Sequence, residues 1–280
     1  MLDYSGADPA FLALLIAGLV ATGLIAGILA GLLGVGGGIV IVPVLYAVLT
    51  ALDVDVAVRM HVAVATSLAT IIPTAISSAR AHARKGAVDG ALARTLAPWN
   101  FVGAAGGAAL AVSMGGAALG RVFGIIALLV AADLVRQTIR PPAASASSAP
   151  RISRWIAAPI GAVIGFLSAL MGIGGGTLAV PTLTYLGVPM HRAVATSAVL
   201  GLVIALPSVV GYVAGGWSVP QLPPFSMGYV NIAGFALIAG VTFMSAPLGT
   251  RIAHAVSARA LRIAFALFLT LTAMRMLLGG

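Results

Sequence analysis

The chain has 280 residues, 61% of them hydrophobic and only 8% charged, with a formal net charge of +9 and no cysteine. Soluble domains usually contain about 25% charged residues, so this composition excludes a soluble globular protein and predicts an all-α polytopic membrane protein. The lack of cysteine excludes disulfides, thiolate metal sites and cysteine nucleophiles. The basic residues fall in the few loops, which indicates membrane topology and contact with anionic lipids rather than nucleic-acid binding.

The first half of the chain contains five apolar segments, at 11–33, 39–50, 60–79, 91–113 and 118–137. The preceding residues MLDYSGADPA include no basic residue, unlike the start of a cleaved signal peptide, so we expect the first span to begin at Phe11 without cleavage. The segment 39–50 would cover only about 17 Å, roughly half of the hydrocarbon core. We therefore expect it to be a half-helix that returns from a break inside the membrane.

The second half repeats this order, with apolar segments at 155–171, 177–187, 190–213, 228–246 and 258–278. The second of these segments is again only long enough for a half-helix. Between the halves, the stretch RPPAASASSAPR has the Pro, Ala and Ser content of a flexible linker. The sequence therefore predicts a first transmembrane repeat at 1–139, a cytoplasmic linker at 140–154 and a second transmembrane repeat at 155–280.

A glycine-rich stretch precedes each half-helix: LGVGGGIVIVPVL begins at Leu33, and MGIGGGTLAVPTL begins at Met171. Non-helical backbone at membrane depth must be buried in protein or line a cavity, and the free N–H groups that begin the next half-helix attract anions. Such interruptions in matching positions of two halves are typical of transporter substrate sites, and close packing through small residues is the alternative. The predicted substrate-binding glycines are Gly34, Gly36, Gly37, Gly38, Gly172, Gly174, Gly175 and Gly176.

The segments MHVAVATS at 60–67 and MHRAVATS at 190–197 share seven of their eight residues, which indicates an internal duplication. Hydroxyl groups can donate hydrogen bonds to an oxyanion without a full countercharge. A hydrogen bond to the i−4 carbonyl of the same helix is the alternative role for a membrane Ser or Thr. The hydroxyl residues predicted to contact the substrate are Thr66, Ser67, Thr196 and Ser197.

Each half also contains a histidine and a proline beside these motifs. His61 and His191 are the candidates for proton coupling, because imidazole titrates near neutral pH. An interfacial or helix-end role is the alternative for both histidines. Pro43 and Pro181 follow the glycine stretches at equal distances, and we expect them to shape the half-helices rather than to contact substrate.

Other small and polar residues are interpreted as packing residues. GxxxG spacing, which allows close contact between helices, recurs in Gly23, Gly27, Gly31 and in Gly161, Gly165. Asn100 and Asn231 are expected to form interhelical hydrogen bonds. No acidic residue lies near the centre of a predicted span, whereas carriers of cations usually need a buried carboxylate. This absence favours an anionic substrate.

The basic residues discriminate between two arrangements of the halves, because cytoplasmic loops carry an excess of Lys and Arg. With five segments per repeat the repeats are inverted, and twelve of the 15 basic residues lie inside, leaving Arg59, Arg121 and Arg275 outside. With four spans per repeat the repeats are parallel, and the split is nine against six. The sequence therefore favours two inverted five-segment repeats with broken or re-entrant helices, an outside N-terminus and an inside linker.

The stretches GLLGVGGGIVIVPVL and HVAVATS in the first half, and LMGIGGGTLAVPTLTYLGVPMHRAVATS in the second, resemble the TauE/SafE (sulfite exporter) family of membrane transporters. The resemblance extends over nearly the whole chain, from about residue 14 to residue 278. It implies a multi-pass exporter or permease of the bacterial inner membrane, often for sulfite, sulfoacetate or other organosulfonates. In one departure, eight extra residues lie between Pro43 and Ala65, and we expect them to enlarge an outer loop.

Together these features predict a secondary transporter of small anions that works by alternating access of the two repeats. An anion channel of the same architecture and a non-transporting membrane scaffold are the alternatives. The sequence contains no HExxH or Walker A motif, and we expect no enzymatic activity, no cofactor and no metal. The expected partners are a small anion, the lipid bilayer and a coupling proton or ion, without nucleic acid. The sequence leaves the oligomeric state open.

Overall fold

A computed structural model describes residues 16–21, 23–24, 26–28, 38–139, 153–252 and 258–278, which are almost entirely helical. The prediction of an all-α polytopic membrane protein is confirmed. Within these residues, five helices are long and apolar enough to cross a membrane by length and composition, namely Val56–Arg84, Gly90–Ser113, Gly116–Ile139, Arg154–Met171 and Met190–Gly216.

The helices follow the same order in the two halves of the chain. The described residues between Ile16 and Ile28 form α1, and the first half continues with α2 (Gly38–Ala51), α3 (Val56–Arg84), α4 (Gly90–Ser113) and α5 (Gly116–Ile139). The second half contains α6 (Arg154–Met171), α7 (Gly176–Tyr185), α8 (Met190–Gly216), α9 (Ile232–Ile252) and α10 (Ala258–Leu278). Between α8 and α9, an unexpected antiparallel hairpin consists of β1 (Ser226–Met227) and β2 (Val230–Asn231).

The extra residues of the first half lengthen two helices, so the expectation of an enlarged outer loop is wrong. Residues 52–55 join α2 to α3, and residues 186–189, equally many, join α7 to α8. The helix α2 has 14 residues, whereas α7 has 10. The Asp55 carboxylate accepts a hydrogen bond from the Ala57 N–H at 2.8 Å, and this N-cap lets α3 begin a turn earlier than α8 does.

Glycine spacing brings α6 against α4 along its length. A Cβ on Gly161 would lie 3.2 Å from the Leu96 carbonyl oxygen, and a Cβ on Gly165 would lie 3.0 Å from the Ala104 nitrogen, so α6 runs parallel to α4. The pair α1 and α9 repeats this arrangement through Gly23 and Gly27, which contact the α9 backbone at residues 238 and 242. These glycines therefore have the predicted packing role, and Gly31 lies outside the described residues.

The long helices of the two halves run in opposite directions. The Asp89 N–H contacts Thr196 near the start of α8, and further along a Cβ on Gly211 would lie 3.0 Å from the Ala108 Cβ. The helix α8 is therefore parallel to α4. Because the short connection 85–89 makes α4 antiparallel to α3, α3 is antiparallel to its counterpart α8.

The short helix α7 turns back on α6. The connection of residues 186–189 makes α7 antiparallel to α8, whereas α6 is parallel to α4 and α8. A Cβ on Gly175, just before α7, would lie 3.5 Å from the Gly201 nitrogen in the middle of α8. The turn between α6 and α7 thus lies halfway along a membrane-spanning helix.

Candidate functional site

The helix break of the second half lies between Met171, the last residue of α6, and Gly176, the first residue of α7. Gly172 ends α6 in the left-handed conformation with φ 67°, which glycine adopts without the steric cost of a Cβ. Every residue from 172 to 176 is buried. The sequence pattern MGIGGG therefore produces a sharp, enclosed reversal of the chain.

Only some of the backbone N–H groups in this break donate hydrogen bonds to described residues. Gly172 and Ile173 both donate to the Ser168 carbonyl oxygen, which closes the end of α6. The N–H groups of Gly174, Gly175 and Gly176 have no hydrogen-bond acceptor among the described residues. They begin a helix of 10 residues, so they carry the partial positive charge of its N-terminus.

Two hydroxyl residues that sequence reasoning missed precede and follow these glycines in the chain. Thr177 is 5% exposed and Ser168 is 0% exposed, and neither side-chain oxygen has a hydrogen-bond partner among the described residues. Buried hydroxyls usually find a partner, so both are unusual. The signal for Thr177 was its position directly after the second glycine stretch, where the first half has Ile39.

The start of α2 lies against the break of the second half. A Cβ on Gly38 would lie 2.7 Å from the Gly172 carbonyl oxygen and 3.2 Å from the Ile173 Cα. The Ser67 hydroxyl donates to the Gly172 carbonyl oxygen at 2.7 Å and lies 3.4 Å from that of Gly38. Ser67 therefore links the first residue of α2 to the α6–α7 break. The predicted residues Gly34, Gly36 and Gly37 lie outside the described residues.

The threonines of the duplicated segment make the same contact in both halves. The Thr66 hydroxyl accepts the Asn231 N–H at 2.9 Å, at the start of α9. The Thr196 hydroxyl accepts the Asp89 N–H at 3.1 Å, at the start of α4. Each threonine thus fixes the N-terminus of a helix from the other half, and its predicted contact with substrate stays a prediction. Ser197 donates to the Val194 carbonyl oxygen of its own helix at 2.8 Å.

The two histidines have different environments. His61 is buried, its Nε2 lies 3.0 Å from the Ala111 carbonyl oxygen, and its ring stacks on Tyr229 with centroids 4.7 Å apart. His191 is exposed. Each lies near the start of its long helix, and these helices are antiparallel, so the histidines lie at opposite ends of the protein and cannot act as a pair.

The asparagines differ from expectation. The Asn100 amide donates to the Leu96 carbonyl oxygen of its own helix at 3.0 Å. The Asn231 amide donates to the Pro224 carbonyl oxygen, and its Oδ1 accepts the Gly234 N–H at 2.8 Å. The expected interhelical side-chain bonds are therefore wrong, because each amide finds a nearer backbone group on its own helix or in the adjoining loop.

Pro43 and Pro181 lie inside α2 and α7, five residues after the first residue of each helix. Their matching positions are compatible with the predicted structural role. Among the described residues, no group of three or more His, Cys, Asp or Glu side chains could hold a metal ion. The break itself is surrounded by apolar side chains, including Val42, Ile71 and Ile204.

Apolar spanning helices and a buried break with free helix N-terminal N–H groups are features of membrane transporters. Residues 19–276 match the family described as Sulfite exporter TauE/SafE. The chain therefore belongs to this family, as its motifs suggested.

Three curated relatives are named as probable membrane transporter proteins. A probable membrane transporter protein of Haemophilus influenzae is 32% identical over 42% of this chain and 45% of its own length. One of Methanocaldococcus jannaschii is 36% identical over 42% of this chain and 43% of its own length. The probable membrane transporter protein MamO of Magnetospirillum gryphiswaldense is 26% identical over 66% of this chain and 33% of its own length. The chain thus spans less than half of each relative, and no solved structure matches it.

Proposed function

We propose that the protein is a membrane transporter that moves small anions, with sulfite and other sulfur oxyanions such as organosulfonates as the first substrates to test. The observation that carries this proposal is the group of buried N–H groups at Gly174, Gly175 and Gly176, which have no hydrogen-bond acceptor in the part of the chain that the structure describes. A helix N-terminus in a medium of low dielectric attracts negative charge. The family description names sulfite, which agrees with a site for an oxyanion.

The distribution of charge also supports an anion. The helices α6 to α8 contain basic residues only near their starts, and no acidic residue lies within them. A transported cation would need carboxylates or several oxygen ligands at membrane depth, whereas an anion needs only hydrogen-bond donors. The break supplies such donors without a charged side chain.

Alternating access of two inverted repeats is the mechanism that we propose. Two observations support it: the antiparallel directions of α3 and α8, and the exchange of equivalent contacts between halves at Thr66 and Thr196. Ser67 of the first half contacts Gly38 at the start of α2 and Gly172 of the α6–α7 break, which supports one site formed by both halves. Rocking one repeat against the other then opens that site to one side at a time.

Transport itself is tested in liposomes that contain the purified full chain. Uptake of sulfite, sulfate, thiosulfate, sulfoacetate and taurine is measured in turn, and at least one sulfur oxyanion should enter with saturable kinetics and support counterflow of labelled substrate. Flux without saturation or counterflow would favour the channel alternative. No flux of any of these anions would contradict the proposal and favour the scaffold alternative.

The glycine site is tested with Gly175→Leu, because a side chain there would meet the Ile204 Cδ1, which lies 2.8 Å from the position of a Cβ. Gly240→Leu is the matched control, since this exposed glycine of α9 has no described atom within 4 Å of the position of a Cβ. We expect Gly175→Leu to abolish flux and Gly240→Leu to keep it. Both variants are first checked for monodisperse elution in detergent.

Proton coupling is a separate part of the proposal. His61 and His191 are changed to Gln together, and uptake driven by a pH gradient is compared with uptake driven by the anion gradient alone. Loss of only the pH-driven component would support coupling through a histidine. Unchanged proton dependence would remove both residues from the coupling mechanism.

We also propose insertion in a bacterial inner membrane with the N-terminus outside and the linker 140–154 inside. The absence of cysteine allows this orientation to be tested with single cysteines, Ser147→Cys in the linker and Ser218→Cys in the loop after α8. An impermeant maleimide added to intact cells stripped of their outer membrane should label Ser218→Cys only. Labelling of Ser147→Cys only would reverse the orientation.

A further inference from the structure

Unlike the other threonines of α7, Thr177 has a side-chain hydroxyl without a hydrogen-bond partner among the described residues. The Thr182 hydroxyl donates to the Leu178 carbonyl oxygen at 2.7 Å, and the Thr184 hydroxyl donates to that of Val180 at 3.0 Å. Both follow the usual i−4 pattern of threonine in a membrane helix. Thr177 has no such partner and is only 5% exposed. Because buried hydroxyl groups usually have a hydrogen-bond partner, the Thr177 hydroxyl is a candidate ligand for a bound molecule.

The direction of the Thr177 side chain places its hydroxyl at the break. In an α-helix each Cα–Cβ bond tilts toward the N-terminus, and Thr177 is the second residue of α7. Its hydroxyl therefore lies beside the free N–H groups of Gly174–Gly176. By the same rule, the side chain of Ser168 in the last turn of α6 tilts away from the break, so only its carbonyl oxygen, which accepts the Ile173 N–H at 3.1 Å, belongs to the break.

All these donors are neutral. The side chains that approach the break are apolar or hydroxylic, and the nearest are Val42, Ile71, Ile204 and Ser67. Removing an ion from water costs free energy in proportion to the square of its charge, so a dianion costs about four times as much as a monoanion of similar size. The attraction to a helix dipole and to neutral donors rises only in proportion to the charge.

We infer that the break between α6 and α7 binds a singly charged oxyanion, with the Thr177 hydroxyl as a ligand beside the N–H groups of Gly174–Gly176. The inference rests on the proposed function, which it makes more specific. The substrate class is then a monosulfonate or the hydrogen sulfite ion, and doubly charged ions such as sulfate are excluded. Specificity arises because the described side chains that approach the break are apolar or hydroxylic, so none of them compensates a second negative charge.

The charge selectivity is measured in liposomes with the same pH on both sides. Methanesulfonate should be transported, and sulfate should compete with it at least about tenfold more weakly. Sulfite uptake should fall as pH rises through neutrality, because hydrogen sulfite loses its proton, while methanesulfonate uptake stays constant. Equal transport of sulfate and methanesulfonate would overturn the inference and leave anion transport intact, whereas absence of all anion flux would overturn both proposals.

The ligand role of Thr177 is tested with Thr177→Val, which preserves shape and removes the hydroxyl. We expect its half-saturation concentration for methanesulfonate to rise about tenfold, the effect of losing one hydrogen bond to a charged group. Thr177→Ser should restore the original value, and Thr182→Val, the matched control on the same helix, should keep it. Ser168→Ala, which removes a buried hydroxyl that tilts away from the break, should also keep it. An unchanged half-saturation concentration in Thr177→Val would overturn the assignment.

Discussion

The segments Met60–Ser67 and Met190–Ser197 differ in one residue, and they lie in antiparallel helices, α3 and α8. Their threonines make equivalent contacts, each accepting an N–H group from the start of a helix in the other half. Their histidines differ, since one is buried against an aromatic ring and the other is exposed. Their serines differ as well, because Ser67 bonds to the α6–α7 break and Ser197 bonds within its own helix.

The histidines differ because different residues surround the two segments. The hairpin between α8 and α9 supplies Tyr229, which stacks on His61. The corresponding connection between α3 and α4 is shorter. Asp89 and Asn231 occupy equivalent positions, and the residue two positions earlier is Ala87 in the first connection and Tyr229 in the second. Of the contacts compared, the threonine bonds to backbone N–H groups recur in both halves, whereas the stacking on Tyr229 occurs in one.

The histidines should show the largest difference between the two segments. His61→Ala removes a stacked ring and a buried bond to the Ala111 carbonyl oxygen, and we expect it to lower the free energy of unfolding by about 3 kcal/mol. His191→Ala, the matched exposed variant, should change it by less than about 0.5 kcal/mol. The measurement is a denaturation midpoint in mixed micelles. Equal effects at the two positions would refute the different environments of the histidines.

The threonines should behave alike. Thr66→Val leaves the Asn231 N–H without its acceptor, and Thr196→Val does the same to the Asp89 N–H. We expect each change to cost about 1–2 kcal/mol of unfolding free energy, and Thr→Ser at either position to recover most of it. Thr270→Val, whose hydroxyl bonds within its own helix, is the control. A large effect in only one half would break the equivalence.

The serines should show the smallest difference. Ser67→Ala removes the hydrogen bond to the Gly172 carbonyl oxygen at the α6–α7 break. We expect this change to lower the free energy of unfolding by about 1 kcal/mol. Ser197→Ala loses a bond only to its own helix, so its effect should stay within about 0.5 kcal/mol. Thermal unfolding of the two variants in detergent distinguishes these values. A greater loss in Ser197→Ala would reverse the assignment of the linking role.

Much of the fold was predictable because long apolar stretches and clustered glycines determine the helices and their ends through local sequence. The expected segments 91–113 and 155–171 differ from α4 and α6 by a single residue at one end. The break at Gly172–Gly176 was predictable for the same reason. The hairpin before α9 was not, since its loop sequence has no alternating pattern that distinguishes strands from coil.

The partners of the motif residues were not predictable from one sequence. Thr66 contacts a residue 165 positions away, and Thr196 contacts one 107 positions away. Local propensity carries no information about such pairs, so the sequence alone predicts substrate contacts for the hydroxyls of the motif. The buried Thr177 hydroxyl, which has no hydrogen-bond partner among the described residues, is a feature of the folded chain that one sequence does not show.

The most direct test of the anion site is a crystal structure with bromomethanesulfonate, located by the anomalous scattering of bromine. We expect its sulfonate oxygens about 3 Å from the nitrogens of Gly174–Gly176, with one oxygen beside the Thr177 hydroxyl. An anion bound at another place in a transport-competent protein, with the α6–α7 break empty, would contradict the account.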